Sequence, residues 1–168
     1  MPEKHTAAYQ MIDVGDKQAT FRQAVATGYI TLSPHVFKQV VERRLPKGDA
    51  LILAEIAGIQ AAKMTAQLIP LCHPLPIEKI KVWLKPDHSN AAIHAYGLVR
   101  THYKTGVEME ALQAVSGALL TVYDLTKMLD SFLVIHQIKL IYKEGGKNGL
   151  WQNQEYVPQW LKPEIEKR

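Results

Sequence analysis

Residues 79–127 read KIKVWLKPDHSNAAIHAYGLVRTHYKTGVEMEALQAVSGALLTVYDLTK, and two periodicities follow each other along this stretch. In 79–85, Ile80, Val82 and Leu84 alternate with Lys79, Lys81, Trp83 and Lys85, the period-two pattern of a half-buried strand. His88-Ser89-Asn90 is a turn, and AAIHAYGLVR at 91–100 is the returning strand of a hairpin. Over 108–129 the period becomes helical. Leu112, Val115, Ala118, Leu119, Val122, Leu125 and Leu129 make one apolar stripe at about 100° per residue. Gln113, Ser116, Gly117, Asp124 and Lys127 fall on roughly the opposite side. Serine and glycine are poor choices for a helix face that meets only water. Beside a charged pair they predict the close approach of another body, a partner chain or a ligand.

Downstream, LVIHQIKLIYK at 133–143 is a further strand. Upstream, Ser33-Pro34 is an N-cap followed by proline at the first helical position, opening a helix that runs to about Arg44 and stops before Pro46. A second helix fits 50–68, and Pro70, Pro74 and Pro76 then break regular structure around Cys72-His73. Helices beside a largely antiparallel sheet make an α+β sandwich. Residues 1–10 read as a flexible lead, 11–149 as one domain, and 150–168 as a loosely held tail.

At 168 residues, 47% hydrophobic and 21% charged, the composition is that of an ordinary soluble domain with its own core. No apolar run reaches the length of a membrane span, and the N-terminus lacks the pattern of a signal peptide. The single cysteine, Cys72, excludes an internal disulfide and suits a reducing, cytoplasmic setting. A net charge of +4 permits an anionic partner without demanding one. No activated serine triad, redox motif or dinucleotide-binding fingerprint is present.

Individually, the candidate chemical residues have ordinary explanations. Asp124 and Lys127 are three apart on a helix, the spacing of an exposed ion pair or of an acid/base pair whose lysine also meets a phosphate. Glu108 and Glu110 stand where the helix dipole favours carboxylates, with Thr105-Gly106 available to cap, and two such acids could equally bind a guanine edge. Cys72-His73 is held between prolines, a setting for a buried thiol and a positioned histidine; no partner spacing supports a metal. GGKNG at 145–149 is a turn or a backbone cradle for phosphate, and Lys47-Gly48-Asp49 a turn between helices. The Lys79/Lys81/Trp83/Lys85 face is a solvated or partner-covered surface, or else a platform for a nucleic acid strand. Together, Arg22, Lys47, Lys127 and Lys147, several acids and one histidine form an inventory suited to a polyphosphate compound undergoing proton transfers.

Four stretches then carry a resemblance: MIDVGDKQATFRQA, KGDALILAEIAGIQAAKMTAQLIPLCHPLPI, KTGVEMEALQAVSGALLTVYDLTK and GGKNG. In this order and spacing, across residues 11–149, the chain resembles the cyclic pyranopterin monophosphate synthases, the molybdenum cofactor biosynthesis protein C family. The resemblance implies a ferredoxin-like antiparallel sheet with helices packed on one face, assembled as a homohexamer, a trimer of dimers, with sites between subunits. It implies a lyase that converts (8S)-3′,8-cyclo-7,8-dihydroguanosine 5′-triphosphate, made upstream by a radical SAM enzyme, into cyclic pyranopterin monophosphate and pyrophosphate. By motif, Asp124, Lys127 and Lys47 take the catalytic positions. Leu71, Cys72, His73, Glu108, Met109, Glu110, Lys147 and Arg22 take the substrate-binding ones, with Asp13, Lys17 and Lys63 as weaker matches. No resident metal or cofactor is expected, beyond a divalent ion that could accompany the triphosphate, and neither membrane nor nucleic acid is an expected partner. Tyr103 and Glu55 depart from the family pattern, which carries glycine and arginine there. The reading from another class is a non-catalytic ferredoxin-like module binding a nucleotide or RNA through the Lys/Trp face; the exposure of Trp83 discriminates the two.

Overall fold

The computed structural model describes residues 9–147, 149–153 and 156–167. The lead read over 1–10 therefore lies, but for Tyr9 and Gln10, outside the described residues, as does Asn148 of GGKNG. The elements are β1 (Thr20–Thr31), α1 (Pro34–Val41), α2 (Ala50–Lys63), α3 (Thr65–Leu68), β2 (Lys79–Asp87), β3 (Ala92–Tyr103), α4 (Glu108–Thr126), β4 (Val134–Glu144) and β5 (Trp151–Gln152). A 3-10 turn, Gln159–Leu161, and α5 (Lys162–Glu166) follow. The sheet runs β2-β3-β1-β4-β5 and every pairing is antiparallel. With helices joining β1 to β2 and β3 to β4, this is the ferredoxin-like α+β arrangement.

The hairpin and the long helix form where the pattern places them, and three helix bounds differ from it. The first helix stops at Val41, because Arg43 already adopts a left-handed φ of 57°. The second is interrupted at Met64, whose N–H bonds back to Gln60 and Ala61 before a separate turn begins at Thr65. The third ends at Thr126, where its hydroxyl bonds the Val122 carbonyl and a tight turn follows, leaving Leu129 exposed. Caps also differ. Asp49 closes the N-terminus of α2 by accepting from Leu51 and Ile52 N–H. Ser33 instead donates its own N–H to Asp130, and Val107, rather than Thr105 or Gly106, is the N-cap of α4.

The strand absent from the pattern is the central one. In β1, Ala24, Ala26 and Ile30 face the helices, packed with Val82, Ile93, Ala95 and Val99 against Ala111, Ala114, Ala118, Leu119 and Val122 of α4. Val25 faces the other way, and there the C-terminal tail crosses the sheet instead of hanging loose. Val157, Leu161 and Ile165 bury themselves against Val25, Leu98 and Ile141, and fully burying each such side chain is worth about 1.5–3 kcal/mol. Arg100, 6% exposed, donates to the Gln23 side chain and to the carbonyls of Glu164 and Ile165, while Gln23 donates to Ile165. Those carbonyls close α5, so the guanidinium meets the negative end of a helical turn.

Candidate active site

Helix α4 carries chemistry at both ends. At its C-terminal end Asp124 accepts from Lys127 at 2.6 Å and from Lys47 at 3.3 Å. The Lys127 hydrogen bond first, then that of Lys47, holds the Asp124 carboxyl below the usual carboxylate range, and Asp124 in turn pushes Lys127 up. Lys47 arrives from the turn before α2, where Gly48 takes a φ of 107°. All three side chains are about half exposed, open to an incoming group.

At the N-terminal end lies a cavity of about 240 Å³ between the irregular segment 12–17, the segment 71–75 and the first turn of α4. Leu71, Cys72, His73, Glu108, Met109 and Glu110 line it. His73 Nε2 donates to the Ile12 carbonyl at 2.7 Å, which ties the start of that segment to the proline-flanked one. Glu110 is only 4% exposed; burial, aided by the charge of Glu108, pushes its carboxyl up to about 7. Burial and Glu110 together raise the Cys72 thiol. Glu108 is different: Lys143 Nζ approaches it at 3.3 Å, and its carboxylate folds over Gly106, where a Cβ would lie 2.0 Å away. Two carboxylates two residues apart thus differ, one paired with a cation and one buried, the usual preparation for a base and an acid.

The cavity continues past Gly106 into a groove of about 700 Å³ lined by Lys17, Arg22, Lys104 and Lys147, with Lys143 in the adjoining hollow. Arg22 Nε is buried and without a hydrogen-bond partner among the described residues. The glycines of GGKNG serve this arginine. A Cβ on Gly146 would lie 1.8 Å from Arg22 Nη1, and one on Gly145 would lie 2.1 Å from the Phe21 carbonyl. Both have positive φ, and the Gly145 N–H is spent on Gly149 inside the turn rather than offered to a phosphate.

Sequence reasoning missed Lys104 and Lys143. Lys104 opens the KTG turn and donates to the Gly15 carbonyl; Lys143 is the penultimate residue of β4, two residues before the glycine pair. Of the weaker matches, Lys17 lines the groove, Asp13 accepts from the Gly15 N–H, and Lys63 lines a separate hollow with Ile77, Glu78 and Lys79. No three His, Cys, Asp or Glu side chains converge as a metal site among the described residues. No helix among them is long and apolar enough to cross a membrane.

One chain does not bring the two ends together. Glu110 and Asp124 are fourteen residues apart on one helix, about 21 Å at 1.5 Å per residue. The Lys/Trp face of β2 is partly covered by the tail: Trp83 packs edge-on to Trp160 at 5.5 Å, and Lys81 pairs with Glu164 at 3.2 Å.

The MoaC family model matches residues 11–146. A molybdenum cofactor biosynthesis bifunctional protein of Synechococcus elongatus is 55% identical over 148 residues, 88% of this chain and 46% of that protein, so the chain spans under half of it. A cyclic pyranopterin monophosphate synthase of Chloroflexus aurantiacus is 49% identical over 143 residues, 85% of this chain and 88% of the relative. That of Thermomicrobium roseum is 47% identical over 146 residues, covering 87% and 88%.

Proposed function

The chain belongs to the MoaC family, and on that premise we propose that it is a lyase of molybdenum cofactor biosynthesis. Its reaction would convert (8S)-3′,8-cyclo-7,8-dihydroguanosine 5′-triphosphate into cyclic pyranopterin monophosphate and pyrophosphate. The observation that carries this reading is the division of charge along α4: a basic groove and an unequal carboxylate pair at one end, and an aspartate between two lysines at the other. Arg22, Lys17, Lys104 and Lys147 suit the triphosphate, whose terminal diphosphate leaves while the remaining phosphate closes into a cyclic diester. Glu108 and Glu110, with Leu71, Cys72, His73 and Met109, suit the guanine-derived ring. Asp124 is the acid/base group. While Lys47 and Lys127 hold it ionised it is a weak base, and a substrate anion that draws them away strengthens it. The conversion moves protons and a diphosphate but no electrons, so these groups suffice for it.

Because the two halves stand about 21 Å apart on one helix, the reading requires a second copy to supply Asp124 to the cavity of the first. Ile52, Ile56, Leu120 and Tyr123 are exposed apolar side chains on the helices that carry or approach Asp124, the composition of a face made for a copy. A hexamer built as a trimer of dimers, fed by a radical SAM enzyme and working in a reducing compartment, completes the proposal. The nucleotide- or RNA-binding alternative is not favoured, since the tail partly covers the face it needs.

The deciding assay incubates purified protein with the cyclo-dihydro-GTP and follows pyrophosphate and a pterin that fluoresces after oxidation. Neither product, at enzyme in excess of substrate, defeats the proposal. Mixing Asp124→Asn with His73→Ala tests the shared site: each alone is inactive, and the mixture regains turnover only if the halves come from different copies.

A further inference from the structure

The family model ends at residue 146, yet the segment after it roofs a second cavity, on the sheet face away from α4. Its floor is a cross-strand row, Tyr96–Thr27–Lys139, beside a second row in which Tyr29 stacks between His94 and His136 at 5.0 and 4.8 Å. Tyr156, Val157 and Pro158 close it from above, leaving about 280 Å³. That is below the usual range for drug-sized ligands and holds a fragment, not a nucleotide.

The chemistry of the lining is specific. Tyr29, Tyr96 and Tyr156 give aromatic walls. Thr27 is already engaged, its hydroxyl donating to the Ala95 carbonyl. Lys139 Nζ lies 3.1 Å from the Tyr156 ring centroid and donates to Gln137 Oε1 at 3.0 Å, which leaves ammonium and amide N–H groups to offer. No carboxylate lines the cavity among the described residues. A donor-rich rim, one cation and aromatic walls together select a flat ring bearing a negative charge.

We propose that this cavity binds a small aromatic monocarboxylate, its ring between Tyr96 and Tyr156 and its carboxylate on Lys139 and the Gln137 amide. The site is separate from the α4 groove, and the proposal stands whether or not the reaction assigned above is correct. A ligand of this size binds with a Kd of about 0.1–1 mM.

The test is calorimetric titration and saturation-transfer NMR of the full chain with 4-hydroxybenzoate, set against 4-hydroxybenzamide and cyclohexanecarboxylate. Expected is saturable binding of the aromatic acid, at least tenfold weaker binding of both controls, and tenfold weakening by Lys139→Met or Tyr156→Ala but not by Lys147→Met. Both far-face side chains are at least partly exposed, so their replacement leaves the fold intact by circular dichroism. The proposal is overturned by no binding at millimolar ligand, by equal binding of amide and acid, or by loss in Lys147→Met with Lys139→Met unaffected. The last result would put the anion in the α4 groove.

Discussion

Gly117 of α4 faces Gly58 of α2: a Cβ on Gly117 would lie 3.7 Å from Gly58 Cα and 2.4 Å from Ala61 Cβ. From the other side, a Cβ on Gly58 would lie 2.7 Å from the Ala114 carbonyl oxygen. The helices meet backbone to backbone, so Gly117 is small because α2 is there, and not because a ligand or partner passes. Ser116 beside it bonds its hydroxyl to the Leu112 carbonyl. Gly117→Ala should therefore cost about 1–3 kcal/mol through overpacking, lowering Tm by roughly 2–10 °C, while Ser116→Ala stays near neutral. Thermal melts of both decide; an unchanged Gly117→Ala would mean that the crossing can open freely.

Asp124→Asn keeps the size of the side chain and removes its charge. Its ion pairs are half exposed and stabilise the fold little, so Tm should be unchanged. Turnover should drop by roughly 10²–10⁴, the usual weight of a positioned acid/base group. Activity within a few-fold of the parent removes Asp124 from that role.

Glu110 titrates near 7 in the folded chain against 4.5 for an ordinary glutamate. Between those values the folded chain holds a proton that the unfolded chain has released. Stability therefore falls as pH rises through this window and levels off above about 7. Glu110→Gln should flatten the profile and leave the variant more stable at about pH 8 by roughly 2–3 kcal/mol, with turnover lost. Melting temperature across the window is the measurement, and parallel profiles for the two proteins would contradict the assignment.

Gly146→Ala should dislodge Arg22, whose guanidinium occupies the space a methyl needs. If Arg22 meets the triphosphate, KM and the inhibition constant of pyrophosphate rise by roughly tenfold or more, with kcat less affected. Steady-state kinetics with added pyrophosphate separate this from a general loss of folding.

Leu161→Ala removes the fully buried anchor of the tail and should cost about 2–4 kcal/mol. Denaturant titration measures it. A cost below about 0.5 kcal/mol would mean that the tail docks without contributing to stability.

The parts legible in the sequence were those with one strongly apolar face. Lys79–Lys85 alternates and α4 shows its stripe, because each has one such face for the pattern to report, although the tail partly covers the other side of the strand and α2 meets Gly117 of the helix. β1 has none: Ala24 and Ala26 pack on helices, Val25 packs under the tail, and between them sit Gln23, Thr27 and Gly28. Its buried polar side chains are satisfied by groups 68 and 142 residues away, and no local window holds that information. The candidate site divides in the same way. Asp124, Lys127 and the Glu108/Glu110 pair were visible from helical spacing, whereas Lys143 entered only because antiparallel pairing brings the end of β4 beside the start of α4. The glycines of GGKNG were visible as a motif, but their purpose, room for Arg22, was not.

The docked tail also bears on how the chain is born. The apolar row Val25, Leu98 and Ile141 is covered by residues 157–165, which are synthesised after every strand of the sheet. Until then the nascent protein presents a nearly complete sheet with one greasy side open to water, the kind of surface on which half-made chains stick to each other. Arg100, waiting for the carbonyls of α5, keeps a charge at the edge of that surface and gives the unfinished molecule a measure of protection until that segment docks.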